Sequence, residues 1–144
     1  MSHKIVVGID GSDAARAALD FAVGVARVRG GSIVVAHVLE WSPYSFLTPK
    51  EIEERHMRRK EELARAETAI LAPVVAGLKD SGIDVTTSLK YGHIADTLCD
   101  VAKEVGAAQI VIGRTGHSGL SSRLFGSVAG SLAQSAPVPV TIVP

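Results

Sequence analysis

The chain predicts an α/β protein: a doubly wound, five-stranded parallel sheet with helices on both faces. Three observations predict it. Short runs of β-branched residues alternate with longer helical stretches in the order βαβαβαβαβ, which calls for parallel strands joined by helical crossovers. Right-handed crossovers put strands 2 and 3 on one side of strand 1 and strands 4 and 5 on the other, giving the order 3-2-1-4-5 of a Rossmann-like sheet. Of 144 residues 47% are hydrophobic but only 4% aromatic, so the core must be Val, Ile, Leu and Ala. That length is within the usual size of one domain, and residues 1–144 read as one unit.

The elements follow in order. Lys4–Ile9 is a β-branched run suited to a strand buried on both faces. Asp10-Gly11-Ser12-Asp13 turns the chain and can cap the helix Ala14–Val28, whose Ala15, Ala18, Leu19, Ala22, Val25 and Ala26 recur at helical spacing. Arg29-Gly30-Gly31 stops that helix, and Ser32–Leu39 is a second buried strand. Glu40–Leu47 is a loop holding Trp41, Tyr44 and Phe46, either a flap over the sheet end or a lid over a ligand. Thr48-Pro49-Lys50-Glu51 starts a long helix, with Thr48 as cap and Pro49 in the first turn.

That helix is expected to run from about Pro49 to Asp80. Eleven of the sixteen residues from Lys50 to Arg65 are charged, with Glu51–Arg55, Glu54–Arg58 and Glu61–Arg65 at i,i+4, so this half reads as a solvated face. From Ala66 to Leu78 it turns apolar and should pack on the sheet, with a kink at Pro73. Val85–Lys90 is a more polar strand suited to an edge. Ile94–Val105 is a helix with Ile94, Leu98, Val101, Ala102 and Val105 on one face, and Gly106 closes it. Ile110-Val111-Ile112 is the fourth strand, and the stretch from Val128 is the last helix. The final strand lies in Pro137–Pro144, whose three prolines assign it to an edge.

The order 3-2-1-4-5 has its switch point between strands 1 and 4, where a ligand should sit over their carboxyl ends. After strand 4 come Gly113, Gly116 and Gly119 at three-residue intervals, then Gly126-Ser127 at the start of a helix. A strand, a glycine-rich turn and a fresh helix start make an anion cradle, because glycines let the backbone approach closely and the helix start offers unpaired N–H groups. Neither GxxxxGK[ST] nor GxGxxG is present. The candidate phosphate donors are the backbone N–H groups of Gly116, His117, Gly126, Ser127 and Val128, with the Ser127 hydroxyl. Gly113, Thr115, Ser118 and Gly119 complete the turn. Arg114 and Arg123 could supply charge, though Arg123 suits a surface position better. His117 fits an exposed loop histidine as well as a phosphate contact. Asp10, at the end of strand 1, would repel phosphate but suits the hydroxyl and amino donors of a nucleoside.

Gly113-x-x-Gly116, nine residues, then Gly126-Ser127 resembles without a gap the nucleotide-binding signature G-2x-G-9x-G-(S/T) of the universal stress protein family. Gly8-Ile9-Asp10-Gly11-Ser12 matches the family's first-strand [PG]-x-D-G-S segment, and the likeness extends to the closing V-P-V-T-I-V-P. The resemblance implies ATP, or ADP or AMP, as ligand, with Asp10 on the nucleoside and Val38 holding the adenine through its backbone. Mg²⁺ would come with the phosphates, Asp10 being the one carboxylate placed to reach it. It also implies a homodimer paired through the last strand, Val138–Val143, with a tetramer as an alternative.

Composition excludes other classes. Fifteen basic and fifteen acidic residues cancel, leaving no electrostatic footprint for nucleic acid or an anionic membrane. Cys99 alone cannot form an internal disulfide. The five histidines share no metal-ligand spacing, and His37, mid-strand, reads as a core residue. Met1–Lys4 leads directly into a strand, so no signal peptide or membrane insertion is expected, and the location expected is cytoplasmic. No paired carboxylates accompany the cradle, so no catalytic residue is assigned. A nucleotide-dependent regulatory module with little or no turnover is the leading expectation. A slow ATPase or a protein that phosphorylates its own serines is the alternative.

Overall fold

The computed structural model describes residues 3–40, 48–114 and 127–144. The strands are β1 (Lys4–Gly8), β2 (Ser32–Glu40), β3 (Val85–Gly92), β4 (Gln109–Gly113) and β5 (Val140–Val143). All pair in parallel, in the order β3-β2-β1-β4-β5. The switch point therefore falls between β1 and β4, as the crossover argument requires.

Alternation along the strands divides the interior into two cores. Ile5, Val7, Ile9, Ile33, Val35 and Val111 face α1 (Asp13–Arg29), whose Ala15, Ala18, Leu19, Ala22, Val23 and Ala26 cover them. Val6, Val34, Ala36, Ile110 and Ile112 face the other way, onto α4 (Ile94–Val105) and α5 (Ser127–Ser135) through Leu98, Val101, Ala102, Ala129 and Leu132. A central strand that must be apolar on both sides reads as an unbroken β-branched run. Each fully buried Val, Ile or Leu contributes about 1.5–3 kcal/mol relative to exposure. Cys99 is buried on α4 beside the Ser135 carbonyl.

The long helix expected from Pro49 to Asp80 is corrected in two ways. It is α2 (Pro49–Ala66), then a π turn over Glu67–Leu71, then α3 (Ala72–Gly77). Pro73 offers no N–H, and its ring would strike the carbonyl four residues back. The widened turn just before it, in which Ala72 N–H bonds to the Glu67 carbonyl, makes room for the ring without ending the helix. The helical geometry stops at Gly77, and Ser81 folds the next residues by donating to the Leu78 carbonyl at 2.6 Å. Leu71 on the π turn is fully buried, while most of α2 is exposed, in keeping with its charge. Thr48 caps α2 as expected, accepting from Glu51 N–H at 3.2 Å.

Candidate functional site

The first turn after β1 is built from side chain to backbone. Ile9 continues past the strand, its N–H donating to the Ala36 carbonyl at 2.9 Å. Asp10 is half-buried, and its Oδ1 accepts from Ser12 N–H at 3.0 Å. Gly11 takes φ +83°, a region that an L side chain enters only with strain. Ser12 then caps α1, its hydroxyl oxygen accepting from Ala15 N–H at 3.1 Å. The remaining oxygen of Asp10 therefore sits on a turn pinned at both ends, close to the positive end of a seventeen-residue helix.

Register brings other predicted residues alongside. Gly8 pairs with Ala36, so Val38, two residues on, is level with Asp10 on the neighbouring strand. Val7 pairs with Val111, so the residues that follow β1 run beside those that follow β4. Gly113 ends β4, and Arg114, exposed, donates its N–H to the Val143 carbonyl at 2.7 Å. Ser127 opens α5, and Val128 packs partly against the second core. Asp10, Val38, Gly113 and Arg114 thus come together at the carboxyl ends of β1, β2 and β4. Thr115, Gly116, His117, Ser118, Gly119 and Gly126, like the loop from Trp41 to Leu47, lie outside the described residues.

The two strand-end glycines have packing reasons of their own. A Cβ on Gly113 would stand 2.7 Å from the carbonyl carbon and oxygen of Ala14, so the first turn of α1 rides directly on the end of β4. A Cβ on Gly8 would press on Leu98 at 3.1 Å and Ile112 at 3.3 Å. The bare backbone at Gly113 lets the start of α1 close on the end of β4, and that at Gly8 leaves room for Leu98 of α4.

Some features were not read from the sequence. His37 is a buried core residue as expected, but its Nδ1 reaches the Ile9 carbonyl at 2.7 Å, tying β2 to the end of β1. At the end of β3, the Tyr91 hydroxyl donates to the Glu62 carboxylate of α2 while Arg59 lies over its ring. Burial, then the hydrogen bond to Glu62 and its charge, push the phenol up to about 12, with Arg59 opposing. Nothing in the residue order marks such pairs, since their partners are 28 and 29 positions apart.

Two hollows are lined by described residues. One of about 170 Å³ adjoins the Asp10 turn between α1 and α3, lined by Ile9, Gly11, Ser12, Arg16 and Ile70 among others. A larger one of about 400 Å³ is at the opposite end of the sheet, against Lys4, Gly31, Ser32 and Asp84. Its size does not make it the better candidate, because the strand carboxyl ends carry the convergent backbone groups. Among the described residues no group of three His, Cys, Asp or Glu could hold a metal ion. No helix among them is long and apolar enough to cross a membrane.

Comparison with known proteins is consistent along the whole chain. Residues 1–144 match the sequence model of the Universal stress protein family. The universal stress protein YxiE of Bacillus subtilis (strain 168) is 31% identical over 99% of both chains. The chain spans about half the length of several mycobacterial relatives, 47% in the case of a Mycobacterium tuberculosis universal stress protein at 27% identity. Among solved structures, UspA from Lactobacillus plantarum superposes with a TM-score of 0.82 at 27% identity, covering 99% of this chain and 97% of its own. A universal stress protein in complex with cAMP gives 0.70 at 26% identity, covering 99% and 96%. The Archaeoglobus fulgidus protein in complex with dAMP gives 0.63 at 28%, covering 100% and 98%.

Proposed function

The chain belongs to the universal stress protein family, and from that premise we propose that it is an adenine-nucleotide-binding regulatory module whose preferred ligand is ATP. The observation that carries this reading is the juxtaposition of the Asp10 turn, the backbone at Val38 and the glycine end of β4 at the switch point. Relatives solved with cAMP and with dAMP support an adenine nucleotide at this kind of fold. The uninterrupted Gly113-x-x-Gly116…Gly126-Ser127 spacing supports a ligand with several phosphates.

In this reading Asp10 accepts from the ribose hydroxyls, and Val38 meets the adenine edge through its backbone. The N–H groups of Gly116, His117, Gly126, Ser127 and Val128 cradle the phosphates, with Arg114 adding charge at the rim. A magnesium ion would come with the nucleotide phosphates, with Asp10 as its candidate carboxylate. In this reading turnover is little or none, and the nucleotide acts as a bound regulator. Residues 1–144 act as one unit that pairs with a second copy through Val138–Val143.

The test starts by denaturing purified protein and identifying the released molecule by mass spectrometry, followed by calorimetric titration with ATP, ADP and AMP. Replacing Gly116 or Gly126 with Val is expected to abolish binding without changing the melting temperature or the assembly. Asp10→Ala is expected to weaken AMP about tenfold to a hundredfold, in line with loss of a charged hydrogen-bonding partner. Unchanged affinity in the glycine variants would sink the cradle assignment.

A further inference from the structure

We propose that His37 is a positioning residue that takes the Ile9 carbonyl out of the β1–β2 ladder and so leaves the backbone N–H of Val38 for the base of the ligand. This rests on the adenine-nucleotide reading above and extends it to a residue that touches no ligand. His37 and Thr97 are the two buried polar side chains among the described residues, His37 being 7% exposed. Its Nδ1 stands 2.7 Å from the Ile9 carbonyl oxygen. That oxygen can only accept, so Nδ1 carries the proton and the tautomer is set.

The ladder explains why a side chain is needed there. Along β2 the even-numbered residues turn their backbone groups toward β1: Ser32 N–H donates to His3, and the Ala36 carbonyl accepts from Ile9 N–H. The odd-numbered ones face β3, as when Ile33 N–H donates to the Asp84 carbonyl. The next rung toward β1 would be Val38 N–H to the Ile9 carbonyl, yet the pairing stops at Gly8 with Ala36. The Ile9 carbonyl is directed to the imidazole instead, away from the line of the ladder. Val38, 9% exposed, keeps a backbone donor aimed at the β1 side, level with Asp10. An orphaned N–H at a buried position is costly unless something accepts from it. Adenine N1 is an acceptor and fits, whereas the protonated N1 of hypoxanthine or guanine presents a second donor.

The same hydrogen bond orients the peptide joining Ile9 to Asp10. From there the constraint runs through the Asp10–Ser12 turn into the cap of α1. One imidazole therefore sets both the free donor on β2 and the angle at which Asp10 leaves β1.

The experiment compares wild-type protein with H37L, which keeps the bulk and removes the donor, and H37N, whose amide nitrogen can stand in for Nδ1. Amide hydrogen exchange of Val38 is read by NMR in the ligand-free proteins, and AMP and IMP are titrated into each. In H37L the Val38 rung is expected to close onto Ile9, slowing its exchange about tenfold or more. AMP affinity should fall at least tenfold and the preference for AMP over IMP should collapse, while H37N retains all three wild-type properties. Unchanged Val38 exchange and an unchanged AMP to IMP ratio in H37L would overturn the proposal, as would equal losses in H37L and H37N. Should H37L not fold, the wild-type ring decides: ¹⁵N shifts showing Nδ1 without a proton would overturn it. Wild-type protein that binds no adenine nucleotide would refute the functional reading, and the Val38 exchange comparison would still settle what His37 does.

Discussion

The two edges of the sheet are made differently. At β3 the free edge is blunted by polarity: Thr86 and Thr87 are exposed, Lys90 pairs with both oxygens of Glu104 at 2.6 and 2.7 Å, and Tyr91 is tied to Glu62. At β5 all four residues, Val140, Thr141, Ile142 and Val143, are half-buried, three of them apolar. Charges and long polar side chains on an edge discourage pairing with another strand, and an apolar edge invites it. The contrast fits the proposal that β5, and not β3, is the edge a second copy would complete.

The strongest way to break this contrast is Val140→Pro. The ladder from β4 runs to the Pro139 and Val143 carbonyls, so the backbone groups of Val140 point away from it, toward the free edge. Proline of similar volume removes that outward N–H from both copies of a dimer. The expected result is a dimer weakened roughly a hundredfold, read by sedimentation equilibrium, from about 1–1.5 kcal/mol for each lost hydrogen bond. A monomeric wild-type protein would remove the basis for the comparison.

Next in size is the tie at the other edge. Tyr91→Phe is expected to lower stability by about 1 kcal/mol in urea unfolding, without changing the assembly. The sign with pH follows from the raised phenol, whose neutral form the fold favours. Its contribution is fully present below pH 10, the ordinary value, and is lost as pH rises toward about 12. The melting temperatures of wild-type and Y91F protein should converge over that window. Lys90→Met should cost about 0.5 kcal/mol or less, and less still at high salt, since both partners are partly exposed to solvent. The smallest effect is expected for Thr87→Pro, whose N–H also points outward by the register of β3 on β2. Its assembly should match wild type, because no second strand is expected to use that edge. Dissociation of T87P would reverse the assignment of the two edges.

Legibility followed the range of the interaction. Runs such as KIVVGI and the five apolar positions on one face of Ile94–Val105 name their own elements, because strand and helix periods are local properties. The Thr48 cap was equally local. Pro73 announced a disturbance in its helix, but whether the chain would kink, stop or widen depended on Leu71 finding a fully buried place on the sheet, and the π turn is what satisfies both. At the candidate site, Asp10 was readable as a turn at a strand end, and Gly113 as part of a glycine series. That Gly113 must lack a side chain, because a Cβ there would stand 2.7 Å from the Ala14 backbone, is a consequence of packing alone.

By itself, the order of residues determined the strand and helix pattern, the right-handed path that yields 3-2-1-4-5, and the resemblance carried by glycine spacing. These depend on backbone chirality and side-chain period, which every short segment already contains. Tertiary structure alone decided which lone pair His37 would meet, which edge Tyr91 would close and how nearly α1 would approach β4. Those outcomes depend on atoms far apart in the chain arriving within hydrogen-bond or van der Waals distance, and no local rule encodes such meetings.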